Sequence, residues 1–174
     1  STPRLAKRYV NILGFSIPIL ADEVDVVDLM LIEGLRVFHP DVYRFVKTNQ
    51  ALCLQSSPDT WLPVDQLQAE AEKRIAETTA HLDNDSKVAA KELLQSLFPR
   101  LASVYGSSGY GPEWEEEWAK GKKICSAEYF PRYFSYGISR DDIPDHQVIA
   151  LMRASETQTP DEIATEIGQL VTEK

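Results

Sequence analysis

Val26 to Phe38 is apolar on every side but one. At the helical period, Asp25, Asp28, Glu33 and Arg36 fall within an arc of about 140°, and the remaining surface is almost wholly aliphatic or aromatic. A helix with so narrow a polar stripe is stable only when neighbours surround it, so the rest of the chain must supply elements that pack on it. Glu33 and Arg36 are three residues apart and are placed to pair along the stripe.

The remainder of the sequence reads as those elements. Strand signals are scarce and the helical period dominates. A first helix is expected from Pro3 to about Ala21, with Thr2 as its cap and with Gly14 and Pro18 weakening or kinking its second half. Asp22 to Asp25 makes the turn, and Asp25 caps the helix that follows. His39-Pro40 interrupts the pattern, and a short helix follows over Asp41–Thr48. Gln55 to Pro63 reads as a loop. A mostly polar helix over Asp65–Leu82 and a second over Ser86–Leu101, with Ala90, Leu94, Leu97 and Leu101 at 4-3-4 spacing, are expected to form an antiparallel hairpin. After a Gly/Ser/Tyr loop (Tyr105–Pro112) come a short helix over Glu113–Lys120 and an aromatic segment over Glu128–Tyr136. Helices over Asp141–Ala154 and Pro160–Thr172 close the chain, the last opening on Thr159-Pro160 just as the first opens on Thr2-Pro3. The expected fold is all-α, an irregular multi-helix bundle of about seven to nine helices.

A chain of 174 residues forms one domain or two small ones and can bury a real core. Its net charge of −9 argues against broad nucleic-acid binding, which needs a basic footprint. Cys53 and Cys125 lie in no CxxC or Cys/His cluster and read as ordinary buried thiols of a reducing compartment. No signal or transit peptide is visible. The longest apolar stretch, Val24 to Phe38, carries Asp25, Asp28, Glu33 and Arg36 and does not span a membrane. The expected location is the cytoplasm. The sequence starts without Met, within a helix signal, and reads as a piece of something longer.

Against the acidic background, the first helix is basic. Arg4, Lys7, Arg8 and Asn11 share one face, whereas Leu5, Tyr9, Ile12 and Leu13 occupy the other. Three cations in the first two turns oppose the helix dipole, which favours anions at that end. Free N–H groups and stacked cations together suit a phosphate, and a solvated basic face is the plain alternative.

The other motifs carry less chemistry. Gly106 and Gly111 stand five apart as in a P-loop, but Pro112-Glu113 replaces the Lys-Ser/Thr that would hold phosphates and magnesium. The carboxylate pairs Asp22/Glu23 and Asp25/Asp28, Glu113 with the run Glu115–Glu117, and the pair Asp141/Asp142 read as solvating surface. His39, His81 and His146 are scattered without an i,i+4 partner, so no metal site is expected, and no G-x-S-x-G elbow is present. Trp114 and Trp118, at i,i+4 among glutamates, read first as a core cover and second as a docking surface. Arg132 is placed to stack or pair at the edge of the cluster Tyr129, Phe130, Tyr133, Phe134 and Tyr136.

The ordered set of motifs resembles a known family. Thr2-Pro3-Arg4, Lys7-Arg8-Tyr9 with Asn11, Glu23-Val24-Asp25, Val27-Asp28-Leu29, Ile32-Glu33, Leu35-Arg36-Val37-Phe38 and Pro40-Asp41-Val42-Tyr43 resemble the segment after the P-loop core of KAP-family NTPases. Phe130-Pro131-Arg132-Tyr133-Phe134 and Asp142-Ile143-Pro144 resemble the end of the same region. The resemblance implies a lid-like segment over residues 1–54, a variable helical hairpin with a Gly/Trp loop over 55–123, and a C-terminal aromatic segment with helices over 124–174. It implies a STAND-like, ATP-binding bacterial parent whose missing N-terminal core holds ATP and magnesium. Arg4 would then stand as a sensor arginine with Lys7 and Arg8 beside it, placing the chain at the inner face of a membrane through its parent. Walker A, Walker B and any membrane segment are absent, so no cofactor and no catalysis are expected of this chain alone. Self-association is a further expectation. The competing reading is a stand-alone acidic helical interaction module that binds a basic partner through Trp114, Trp118 and Arg132.

Overall fold

The computed structural model of the chain describes residues 2–54, 64–103, 112–135, 145–155 and 159–172. Among them the fold is all-α, an irregular bundle with no strand. Its elements are α1 (Pro3–Leu20), α2 (Val26–Phe38), α3 (Pro40–Thr48), α4 (Gln50–Leu54), α5 (Val64–Thr79), α6 (Asn84–Leu97), α7 (Pro99–Ser103), α8 (Pro112–Lys120), a 3-10 turn (Phe130–Phe134), α9 (Asp145–Ala154) and α10 (Pro160–Thr172).

The ends of these helices follow from local chemistry. Pro3 opens α1, where its missing N–H has no partner to lose, and Thr2 Oγ1 accepts a long 3.4 Å bond from Leu5 N–H. Asp25 caps α2 at 2.9 Å through Asp28 N–H. Asp83 caps α6 at 2.9 Å through Ser86 N–H. Before α10, the Glu162 carboxylate reaches back to accept from Thr159 N–H at 2.9 Å and Thr159 Oγ1–H at 2.8 Å. Pro18 does not break α1, which runs continuously to Leu20, because it falls in the final turn where only one ladder bond is lost. Pro99 does end a helix. It separates α6 from α7, which the sequence pattern joins into one.

α2 is the axis of the core. Leu29, Ile32 and Leu35 are fully buried, and α1, α3 and α6 lie against it. One apolar cluster gathers residues from Leu20 through Val46, Leu54, Ile75, Leu94, Phe98 and Ile124 to Tyr133, and so draws on all three of the sequence segments defined above. The expected α5–α6 hairpin does not close along its length. The short turn at Asp83 is present, but α5 lays Ala71 and Ile75 toward α3 and α4, while α6 turns Ala90, Leu94 and Leu97 toward α2 and α7. The stripe of α2 offers more apolar area than the thin stripe of α5, and burial scales with that area. Near the other end of the sequence, α9 and α10 pack on each other. Among the described residues no helix is long and apolar enough to cross a membrane.

The expected loops at Gln55–Pro63 and Tyr105–Gly111, with Gly106 and Gly111, lie outside the described residues, as do Tyr136 and the expected helix start at Asp141.

Candidate functional site

The first turns of α1 hold three exposed cations because the opposite face of the helix is committed to α2. Tyr9 O–H donates to Met30 C=O at 3.0 Å, and its ring meets Phe38 at 5.6 Å between centroids. Gly34 leaves the space against which Tyr9 lies, 3.9 Å from where a Cβ would stand. Burial, with the nearby charge of Glu33, pushes the Tyr9 phenol upward. Further along, Ser16 is buried and donates to Ile12 C=O at 3.0 Å, and Leu20 closes the contact. With Tyr9, Ser16 and Leu20 turned inward, Arg4, Lys7 and Arg8 are turned outward.

Those three residues, with Asn11, Ile12 and Phe15 of α1 and Arg36 of α2, line an open groove of about 570 Å³. Among the described residues none of Arg4, Lys7 and Arg8 takes part in an ion pair. The first turn of α1 carries no acid. Arg36, by contrast, is held: its guanidinium lies 3.4 Å from the buried Glu33 carboxylate and 5.9 Å over the Tyr43 ring. Burial pushes Glu33 upward, against the lowering effect of Arg36. The groove thus offers positive charge to an anion. It contains no carboxylate, imidazole or thiol among its lining residues, and so nothing to move a proton or attack a bond. Among the described residues no three His, Cys, Asp or Glu side chains gather where a metal ion would sit.

The other sequence candidates lie elsewhere. Trp118 is 8% exposed, with Arg100 stacked at 5.0 Å from its ring, whereas Trp114 is 45% exposed and meets Trp118 at 6.4 Å. Arg132 is largely buried, 3.0 Å from Glu23 and 4.7 Å over the Tyr129 ring. It both stacks and pairs, inside the fold. Of these three, Trp114 is the one on the surface.

A polar cluster that sequence reasoning passed over joins the start of α2 to the turn after α8. Asp28 accepts from Ile124 N–H at 3.1 Å, and Lys123 Nζ lies 3.1 Å from Asp25 and 3.5 Å from Asp28. Tyr133 O–H donates to Lys122 C=O at 2.7 Å and accepts from Asp25 N–H at 3.0 Å. Lys122 adopts a left-handed φ of 52°, and its ammonium donates to Asp22 C=O. Burial is the leading cause that pushes Asp28 upward, opposed by Ile124 N–H and Lys123; burial also raises the Tyr133 phenol. Lys123 is pulled down by its own burial, but its bonds to Asp25 and Asp28 outweigh that and raise it overall. The reading of Asp22/Glu23 and Asp25/Asp28 as solvating surface is therefore corrected for Glu23 and Asp28, which are 3% and 6% exposed and each pair with a base from the far part of the chain, while Asp22 is exposed as expected. The available signal was the position of Asp28 on the stripe of a helix that is otherwise apolar.

Comparison with known proteins gives no match to a family model, a curated protein or a solved structure. The labels KAP NTPase, P-loop ATPase fragment, ATP binding, STAND and bacterial are accordingly corrected and are not carried further. A P-loop needs a strand, a Gly-rich turn and Lys-Ser/Thr in sequence, and the chain joins Pro112-Glu113 to its glycines instead, with no strand among the described residues.

Proposed function

We propose that this chain is a helical docking module whose α1 face closes against a phosphate-bearing surface of a partner domain. The observation that carries the reading is the α1 groove, where three exposed cations without ion-pair partners stand at a helix N-terminus in a chain of net charge −9. Four bases elsewhere in the described fold pair with acids, Arg44 with Asp41, Arg74 with Glu70, Lys120 with Glu117 and Arg132 with Glu23, whereas single bases such as Lys47 and Lys87 do not; what sets α1 apart is three such cations in two turns of one helix. Cations left unpaired at a helix N-terminus favour a bound anion, since charge and dipole act in the same direction there. The groove binds and orients; the partner supplies any chemistry. The rival surface built on Trp114, Trp118 and Arg132 has less support, because Trp118 and Arg132 are occupied inside the fold.

The test is titration of the chain with inorganic triphosphate, followed by amide chemical shifts. Weak binding, with a Kd on the order of 1 mM, is expected at the amides of the first two turns of α1. Arg4→Ala, Lys7→Ala and Arg8→Ala combined should abolish it, while Trp114→Ala leaves it intact. Shifts that persist unchanged in the triple variant would remove the docking assignment.

A further inference from the structure

α1 carries an apolar stretch of which the core uses little. From Tyr9 to Leu20 it runs through twelve residues without a charge, with Asn11 and Ser16 as its polar side chains besides the Tyr9 hydroxyl. A run of that length is too short to span a bilayer and is commonly either a core helix or an interfacial one. In α1 it is not core. Ser16 and Leu20 are the buried residues of the helix, while Val10, Phe15 and Ile19 are 65%, 57% and 42% exposed. At the helical period Phe15 and Ile19 continue the face that Arg4, Arg8 and Asn11 begin. The groove on that face has Arg4, Lys7 and Arg8 at one end and Ile12 and Phe15 at the other. The helix packs on α2, and this face stays open.

We infer that α1 is an interfacial membrane helix, its cations at the phosphates of an anionic phospholipid bilayer and Phe15 and Ile19 in the acyl boundary beneath them. A bilayer presents both halves of that chemistry in one surface: negative phosphates, and about 5–10 Å deeper the apolar boundary that such helices reach. The long stems of Arg4, Lys7 and Arg8 let their charged heads stay at the phosphate level while the backbone settles lower. No acid lies within α1 to oppose that approach. Asp22, the first acid after it, has the Lys122 ammonium beside it, donating to its backbone carbonyl. With a net charge of −9, the chain is repelled by an anionic surface in other orientations, so this helix meets the bilayer first. The inference rests on the α1 cations of the docking role and adds the apolar half of the face, for which bilayer and partner domain then compete.

The experiment is flotation of the chain with vesicles of phosphatidylcholine alone and of phosphatidylcholine mixed equally with phosphatidylglycerol. Wild type should rise with the mixed vesicles, stay behind with phosphatidylcholine alone, and bind more weakly as salt is added. One variant combines Arg4→Gln, Lys7→Gln and Arg8→Gln; the other combines Phe15→Gln and Ile19→Gln. Each should bind the mixed vesicles at least about tenfold more weakly, the first through lost charge and the second through lost apolar burial. All five positions are exposed, and circular dichroism matching wild type establishes that each variant is folded. The lipid preference of wild type tests the inference without any substitution. A wild type that stays in solution with the mixed vesicles, one that floats equally with phosphatidylcholine alone, or a Phe15→Gln/Ile19→Gln variant that floats as wild type does would each overturn it. That variant keeps the three cations and should still bind inorganic triphosphate. Triphosphate binding by a wild type that does not float removes the bilayer and leaves docking standing; flotation without triphosphate binding does the reverse.

Discussion

Asp28 illustrates how a single carboxylate gains its character from distant residues. It lies on the first turn of α2, yet its partners Lys123 and Ile124 N–H are almost a hundred positions away. Burial raises its pKa, as it does that of Glu33. A carboxyl raised in the folded state contributes stability that is fully present below its unfolded pKa and is lost as pH rises through the folded value. Folding stability from this source therefore falls as pH climbs above the ordinary carboxylate range of about 4. The expected consequence is that the stability difference between wild type and Asp28→Asn shifts in favour of the variant over that climb. Urea unfolding at a series of pH values measures it, and a difference that stays flat would show that Asp28 titrates as an ordinary carboxyl. Lys123, raised overall, acts at the other end: its contribution is fully present below the ordinary lysine value and is lost as pH rises from there through its raised pKa.

At the scale of elements, α1 is built against its own local preferences. It holds a glycine at its middle, a proline in its last turn and three cations at its positive end. The apolar face toward α2 overrides all three. At Gly14 a Cβ would meet nothing within 4 Å, so alanine there fits without moving a neighbour. Gly14→Ala should raise stability by about 0.5–1 kcal/mol, by removing backbone freedom from the unfolded chain. Thermal or urea unfolding checks this, and a loss of stability would mean that α1 needs its midpoint to bend. The α5–α6 pair makes a related point. Both helices were legible from period and caps, and their turn from Asp83 to Ser86, but the neighbours they chose were not. A thin stripe such as Ala71 and Ile75 fits several grooves nearly equally, and the choice depends on what α3 and α4 leave open.

For the whole molecule, one core holds both cysteines. Cys53 in α4 and Cys125 after α8 are buried free thiols, and burial pushes each up to about 12. Near neutral pH such a thiol carries roughly a thousandfold less thiolate than an exposed cysteine, and reagent has no access to it. Modification by a thiol reagent should therefore track unfolding of the chain, both sulfurs reacting together as denaturant is added. Fast reaction of either one in native buffer would place it outside the cooperative core. The helices around these thiols share their apolar residues in one cluster from Leu20 to Tyr133, which makes a single unfolding event the expected behaviour.

The amino-acid order by itself determined most of the helices, though not α4 or the break at Pro99, together with the caps at Thr2 and Asp25, the Glu33–Arg36 pair and the apolar surface that buries α2, because each depends on residues within a turn or two. The basic face of α1 was legible for the same reason. Tertiary structure alone decided that Glu23 and Asp28 lie inside, that Lys122, Lys123, Arg132 and Tyr133 close over the start of α2, and that Arg36 joins α1 in one groove. Those outcomes turn on which distant donor reaches a carboxylate first shielded from water, and no local period encodes a contact across a hundred residues.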